Sequence, residues 1–195
     1  MTQGRVVVSR GIGKLSIVRF GAEYQYTFDE FKIDGYKFGS SYSIKKSVYD
    51  NYSAQFVEAD IYLTSKLVLR AGARGEHSTL EKKYVISPRS SVAYKLGEKS
   101  QISVAYGQFF QKPDRDYLFY SKIPGYNKAT HYIANIQRVD DFHTVRAEVY
   151  YKKYDNLTNA LDSTNSGYGY AQGLDIFWRD KKTIKGVDYW ISYTY

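Results

Sequence analysis

Strict alternation of apolar and polar residues recurs along almost the whole chain and constrains its fold more than any other feature. Residues 57–63 read Val-Glu-Ala-Asp-Ile-Tyr-Leu, and residues 102–107 read Ile-Ser-Val-Ala-Tyr-Gly. Successive side chains of a β-strand point to opposite faces, so this period predicts strands with one apolar and one polar face. Turn signals divide the pattern into ten predicted strands, at residues 4–10, 15–30, 51–63, 67–79, 87–96, 100–112, 131–139, 143–157, 168–179 and 186–195. Helix is predicted only as one short turn over residues 113–120.

The predicted connections alternate between short and long. Tight hairpin turns rich in Gly, Asp and Lys are predicted at residues 11–14, 64–66, 97–99, 140–142 and 180–186, and longer links at 31–50, 80–86, 113–130 and 158–167. Every second connection of an up-and-down meander lies on the same side, so the tight turns share one rim and the long links the other. The sequence therefore predicts an all-β, antiparallel up-and-down meander of about ten strands.

The two faces of the predicted strands differ in charge. One face carries apolar runs such as Val57, Ala59 and Ile61, and no charge falls among these residues. The other carries both signs: Arg19, Glu23, Glu58, Asp60, Arg70, Arg74, Glu76, Lys95, Arg146, Glu148, Asp175, Arg179 and Asp188. If this face lines a lumen, the candidates for ligand contact are Arg70, Arg74, Glu76, Arg146, Glu148, Asp175 and Arg179. Their alternative role is structural, because opposite charges on one face can form ion-pair ladders that stiffen the wall.

Alternation alone does not decide which face points outward, since a small water-soluble barrel would show the same period. Several features favour a charged interior and an apolar exterior. The charged face also holds glycines, and the chain has only 2 Trp and 1 Met to fill a soluble core. Several predicted strands reach the ~9–11 residues that cross a bilayer at a tilt, and tight turns on one rim are typical of outer-membrane barrels.

Composition and spacing exclude several classes of function. The chain has no Cys, which excludes disulfides and thiolate zinc sites. The net charge is +8, but no basic run is present, so no nucleic-acid partner is expected. The histidines, His77, His131 and His143, lie far apart in sequence, and no catalytic constellation, metal site or cofactor site is predicted. No 18-residue apolar helix and no signal peptide are visible. The chain is therefore not expected to be an enzyme.

An ordered series of segments resembles a known family. The segments are "SPRSSVAYKLGEKSQISVAYGQFFQKPDRDYLFY", "HYIANIQ", "VRAEVYYKKYDNLT" and "GYGYAQGLDIFWRDKKTIKGVDYWISYTY". Together they resemble consecutive strands of the C-terminal β-barrel of TonB-dependent outer-membrane receptors, particularly those of the Bacteroidetes type. The resemblance covers most of residues 50–195, and the order of the segments, more than any single motif, makes it specific.

The resemblance implies a larger protein than this chain. Receptors of this family have barrels of about 22 strands, a plug domain in the lumen and a segment that binds the inner-membrane coupling complex. Residues 1–195 are accordingly predicted to be a single partial β-barrel domain, a fragment without plug or remaining strands. The resemblance implies a place in the bacterial cell outer membrane and three partners: outer-membrane lipid, a small-molecule, sugar or peptide nutrient, and the TonB energy-coupling complex.

Two other interpretations of the sequence remain open. A self-contained pore or adhesin barrel of ten strands is possible because an even number of strands allows closure. A soluble all-β binding module would agree with the mean hydropathy of −0.51.

Overall fold

A computed structural model describes residues 1–13, 16–37, 39–113, 125–159 and 164–195. It contains ten strands: β1 Thr2–Ile12, β2 Ser16–Lys37, β3 Ser40–Tyr62, β4 Leu67–Ser78, β5 Lys83–Lys95, β6 Ser100–Gln111, β7 Asn127–Val139, β8 His143–Asn159, β9 Thr164–Asp180 and β10 Tyr189–Thr194. No helix among the described residues has the length and hydrophobicity that a membrane span requires. Most of the short turn predicted at 113–120 lies outside the described residues.

The strands form one sheet in which each strand pairs antiparallel with the next along the chain. The spatial order is β1 to β10 without a crossover. This confirms the predicted all-β meander of ten strands. We call the edge formed by the connections that follow β1, β3, β5, β7 and β9 the tight-turn rim. The opposite edge, formed by the connections that follow β2, β4, β6 and β8, is the far rim.

The long link predicted at residues 31–50 is wrong, because residues 31–37 and 40–50 are strand. β1 pairs with β2 only as far as Tyr26, and β4 pairs with β3 only as far as Tyr52. β2 and β3 nevertheless continue to pair with each other up to Lys37 and Ser40. Residues 27–37 and 40–51 thus form a two-stranded hairpin beyond the rest of the sheet, which we call the β2–β3 projection.

A change of phase in the alternation explains this error. Phe28 lies on the apolar face with Tyr24, whereas the apolar residues Phe31 and Ile33 lie on the opposite face. On the face of β2 that is apolar up to Phe28, the residues that follow are polar, such as Lys32. The shift breaks the period of two at Phe28, so the segment resembles a loop in sequence. The far-rim links are also shorter than predicted where β5 begins at Lys83 and β9 at Thr164.

Two turns of the tight-turn rim are fixed by aspartates that accept backbone hydrogen bonds. Asp140 Oδ1 accepts the N–H of His143 at 2.9 Å and of Phe142 at 3.1 Å, which lowers the pKa of Asp140 to about 2. Asp180 accepts N–H groups of the next turn at 2.8 and 2.9 Å in the same way. Lys181 N donates to Phe142 O at 2.9 Å and joins the two turns. This part of the rim is therefore stiff without help from a partner.

The sheet is a single layer, and its apolar face has no cover from the described residues. Among them, only Ala54 and Tyr126 are hydrophobic and buried. Residues in the middle of the apolar face are open, with Val104 58% and Val57 52% exposed. A sheet with so much uncovered apolar surface needs an apolar partner beyond the described residues.

Candidate functional site

The candidate residues of the sequence analysis all lie on one face of the sheet. Residues directly opposite each other in an antiparallel pair share a face. Register places Arg70 opposite Asp60, Arg74 opposite Phe56, Glu76 opposite Ala54, Glu148 opposite Asp175, Arg146 opposite Phe177 and Arg179 opposite Thr144. We call this side the charged face.

Asp60 is the centre of the first group of charges, which spans β2, β3 and β4. Its side chain is 4% exposed and lies between two arginines. Asp60 Oδ2 is 2.7 Å from Arg19 Nη1, and Asp60 Oδ1 is 2.5 Å from Arg70 Nε. Glu58 lies 3.4 Å from Arg19 Nη1 and 3.6 Å from Arg70 Nε. We call these four residues, Arg19, Glu58, Asp60 and Arg70, the Asp60 cluster. Its two positive charges balance its two negative charges.

Arg74 is the centre of a second group of charges, one level nearer the far rim, in which one arginine contacts two glutamates. Its Nε contacts Glu76 Oε1 at 2.5 Å, and its Nη2 contacts Glu23 Oε2 at 3.1 Å. Tyr52 accepts a hydrogen bond from Arg74 Nη2 at 3.1 Å and donates one to Glu76 Oε1 at 2.8 Å. We call this group, made of Glu23, Tyr52, Arg74 and Glu76, the Arg74 cluster. Together with the Asp60 cluster it joins the neighbouring strands β2, β3 and β4.

The remaining candidates are arranged differently. Arg179 forms a bidentate pair with Asp188 at the tight-turn rim, with Nε and Oδ1 2.9 Å apart. Arg146 and Glu148 enter none of the ion pairs of the described residues, and Glu148 accepts only a 3.4 Å hydrogen bond from Asn135 Nδ2. Glu148 faces Asp175, whose Oδ1 is buried without a hydrogen-bond partner. The β8–β9 part of the charged face therefore holds carboxylates that the described wall does not neutralise.

Sequence reasoning missed the central role of Asp60 and of Tyr52. In the sequence, Asp60 is one of many charged residues on its face, and Tyr52 is uncharged, so neither was chosen as a candidate. The short turn predicted at 64–66 could have identified Asp60, because it fixes the β3–β4 register and places Asp60 opposite Arg70.

Cations stacked on aromatic rings occupy the charged face between β5 and β8. The Arg89 guanidinium lies 4.7 Å from the centre of the Phe109 ring, which is itself 4.7 Å from the ring of His131. Lys152 is opposite His131, and its Nζ lies 4.6 Å from the Tyr150 ring. A cavity of about 200 Å³ opens between Arg70, Arg89, Phe109 and His131. This surface can hold anionic or aromatic groups through charge and stacking.

The far rim holds a separate polar group around Asp50. Its carboxylate contacts Lys112 Nζ at 2.7 Å and accepts hydrogen bonds from Ser78 Oγ at 2.7 Å and Leu80 N at 3.1 Å. These contacts join β3, the β4–β5 connection and the end of β6. Nearby, Glu81 is buried with both carboxylate oxygens unpaired, and burial raises its pKa.

The charged face includes glycines that the sequence analysis placed there, and one of them is required by close packing. A Cβ on Gly72 would lie 2.6 Å from the backbone oxygen of Val57, which cannot move without breaking the β3–β4 pairing. Gly72→Ala is therefore expected to lower the free energy of unfolding by ~1–3 kcal/mol. Gly169, also on this face, has no atom within 4 Å of its would-be Cβ, so Gly169→Ala is the matched control and should leave stability unchanged. Urea unfolding of both variants, followed by Trp fluorescence, measures the difference.

Metal ligands do not converge in the part of the chain that the structure describes, where no group of three or more His, Cys, Asp or Glu side chains is placed to bind a metal ion. His131 lies on the charged face. His143 begins β8, and its Nδ1 contacts Asp140 Oδ1 at 3.1 Å.

Comparison with known proteins identifies related barrels. A family model described as "TonB dependent receptor-like, beta-barrel" matches residues 3–195. The search of curated proteins gave no significant match. Among solved structures, a mutant ferric enterobactin receptor (PfeA) of Pseudomonas aeruginosa in complex with enterobactin has a TM-score of 0.77 at 13% identity, covering 99% of this chain and 35% of that chain. The siderophore receptor PirA of the same species has a TM-score of 0.77 at 15% identity, covering 99% and 40%.

A third neighbour, the FrpB iron transporter of Neisseria meningitidis, has a TM-score of 0.71 at 13% identity, covering 92% of this chain and 34% of that chain. At these identities the neighbours show the fold of the chain and not its ligand. The chain spans roughly a third of the length of these structures.

Proposed function

The chain belongs to the family of TonB-dependent receptor-like β-barrels, and from this premise we propose that it is a wall segment of an outer-membrane receptor for energy-coupled nutrient uptake. The observation that carries the proposal is the contrast between the two faces of one sheet. The apolar face is free of charges across its centre and uncovered, while the charged face holds the Asp60 and Arg74 clusters. A wall between lipid and an aqueous lumen requires this contrast.

Aromatic residues mark one border of the proposed lipid-facing belt. Tyr106, Tyr132, Tyr151 and Tyr170 form a ladder of rings on neighbouring strands, with successive ring centres 5.4, 6.3 and 6.0 Å apart. Tyrosines favour the boundary between hydrocarbon and water because the ring is apolar and the hydroxyl is polar. The ladder lies towards the far rim, which we infer faces the outside of the cell.

The β2–β3 projection supports the same border. Below Phe28 the apolar residues of β2 share a face with the belt, whereas above it the belt side carries the Lys32–Asp34 ion pair, 2.9 Å apart. A strand that leaves lipid for water no longer needs an apolar outer side. We therefore propose that the projection stands in water above the membrane.

The charged face is the proposed lumen surface, and its parts have different roles. The charges of the Asp60 and Arg74 clusters are paired with one another across strands and serve mainly to hold neighbouring strands together. The surface around Arg89, Phe109 and His131 is the better candidate for ligand contact, as is the far-rim group around Asp50. A siderophore, an oligosaccharide or a peptide would each find suitable groups here, and the siderophore class also agrees with the names of the structural neighbours.

We propose that the ten strands are part of a larger barrel, with a plug domain and further strands supplied by other parts of the receptor. Among the described residues, β1 and β10 each pair with a single neighbouring strand, so the sheet is open. An open sheet favours this arrangement over a self-contained barrel of ten strands.

Uptake by the full-length receptor tests the proposed function. The receptor would be produced in a bacterium that lacks its own uptake receptors, with and without the TonB protein, and supplied with labelled ferric chelates, oligosaccharides or peptides. Accumulation of one class that depends on TonB is expected. Accumulation that is equal without TonB would instead indicate a passive pore.

A further inference from the structure

The connections of the tight-turn rim share one property: each combines an exposed apolar side chain with a nearby cation. The pairs are Ile12 with Arg10, Leu63 with Lys66, Leu96 with Lys99, Phe142 with Lys182, and Ile184 with Lys185. The apolar members are between 47% and 56% exposed. In one pair the contact is direct, because Lys182 Nζ lies 4.9 Å from the centre of the Phe142 ring.

Two cations of this rim point to the same side as the apolar belt. Arg10 is opposite Val18, and Arg138 is opposite Val145, so both lie on the apolar face where that face ends. Long basic side chains can keep an apolar stem along a hydrophobic surface and extend the charge towards water. These arginines therefore mark the level at which the belt meets a polar layer.

Both rims hold cations that are paired with carboxylates, and at the tight-turn rim Arg138 pairs with Asp140 at 3.6 Å and Arg179 with Asp188. On the far side, Lys112 is paired with Asp50 at 2.7 Å and Lys153 with Asp155 at 2.9 Å. Within the described part of the chain, Lys66, Lys99 and Lys185 enter no ion pair. The rim aspartates Asp140 and Asp180 are already engaged by turn N–H groups. The tight-turn rim thus presents cations that remain available to an external anion.

We propose that the tight-turn rim binds the phosphate headgroups of anionic phospholipids in the membrane leaflet next to it. The cations contact the phosphates, while the apolar partner in each turn reaches the boundary of the acyl chains. A free phosphate would use only the cations, so the recurring apolar partner favours a lipid. This inference rests on the proposed function, since it requires the sheet to lie in a membrane.

Lipid titration of the full-length receptor in detergent tests the proposal. Native mass spectrometry would measure the apparent affinity for phosphatidylglycerol and, separately, for phosphatidylcholine. The unmodified receptor is expected to prefer phosphatidylglycerol. Because each basic residue near an anionic lipid surface contributes a roughly fivefold gain, the triple variant Lys66→Gln, Lys99→Gln, Lys185→Gln should lose about 100-fold of that affinity.

A matched triple variant controls for net charge. Lys45→Gln, Lys82→Gln and Lys128→Gln remove the same charge from the far side of the sheet and should change the affinity less than about threefold, because these residues lie far from the rim on the scale of the screening length. A second rim variant, Leu63→Ser with Leu96→Ser, should weaken phosphatidylglycerol binding while leaving every charge in place. Inorganic phosphate should not compete with the lipid.

The outcomes separate this proposal from the proposed function. Equal losses in both lysine triples, equal affinity for the two lipids, or competition by inorganic phosphate would each overturn the lipid site. A receptor that inserts into vesicles and takes up its nutrient, yet shows no preference for phosphatidylglycerol, would refute the lipid site alone. A receptor that does not insert would refute the membrane location on which both depend.

Discussion

Replacing Asp60 by Asn is expected to lower the free energy of unfolding by about 2–3 kcal/mol. The Asp60 side chain is almost fully buried between Arg19 and Arg70, so the substitution keeps its shape and leaves Glu58 as the one carboxylate of the cluster to balance both arginines. Breaking a buried ion pair by removing one partner costs about 3–5 kcal/mol. The expected value is smaller because Arg70 is half exposed and water can solvate part of its charge.

Urea unfolding of the full-length receptor in lipid vesicles measures this change. The matched control is Asp34→Asn, which breaks the Lys32–Asp34 pair, where both side chains are well exposed. Exposed pairs contribute little to stability, so this variant should unfold like the unmodified receptor. Adding Arg70→Gln to Asp60→Asn should recover part of the loss, since the remaining charges of Arg19 and Glu58 then balance again. Equal effects of the two Asp→Asn substitutions would show that the Asp60 cluster does not stabilise the wall.

The ten strands and their two faces could be predicted because each residue of a strand has one of two environments. Wherever those environments stay constant, as along Val145, Ala147 and Val149 of β8, the period of two survives in the sequence and gives the correct face. Family membership was predictable for a related reason. The order of the segments from residue 50 onwards is more specific than any one of them, and the matching family model covers residues 3–195. The finer resemblance to receptors of the Bacteroidetes type stays a prediction.

The β2–β3 projection could not be predicted by the same rule because its environment changes along the strand. The apolar side of β2 switches faces between Phe28 and Phe31, and a pattern that changes phase looks like a loop. Strand ends on the far rim are irregular for a local reason as well. The β8–β9 register shifts on both sides of Leu157, next to Asn156 at a φ of 56°. Such bulges leave little trace in sequence alternation.

The clusters of the charged face were only partly predictable because they depend on register between strands. Neighbouring charges on one strand, such as Arg74 and Glu76, are visible in the sequence as i and i+2. The contact of Arg19 with Asp60 joins residues 41 positions apart and needs the pairing of β2 with β3 to be known. The roles of the candidate residues in binding a nutrient remain predictions that the uptake experiment addresses.

Replacing Val104 by Arg is expected to cost about 2–4 kcal/mol of stability in a bilayer. Val104 lies in the middle of β6 on the apolar face, opposite Val92 and Ala134. An arginine at the midplane of the lipid-facing side of a barrel costs about this much, because lipid cannot solvate its charge. Val104 is 58% exposed in the structure, so in water the same substitution should change stability by less than about 0.5 kcal/mol. The size of the effect therefore reports what covers this face.

The matched control is Ser103→Arg, one residue away on the charged face, opposite Ala93 and Asn135. Asn135 is hydrogen-bonded to Glu148, so a new cation there lies near a carboxylate, and lumen positions accept charge. Ser103→Arg should cost less than about 1 kcal/mol in the same vesicles. A tolerated Val104→Arg together with a damaging Ser103→Arg would mean that the faces are reversed and that the charged face is not the lumen. If both were tolerated and the protein stayed soluble without detergent, the sheet would belong to a soluble binding module, because only an apolar solvent makes the outer arginine costly.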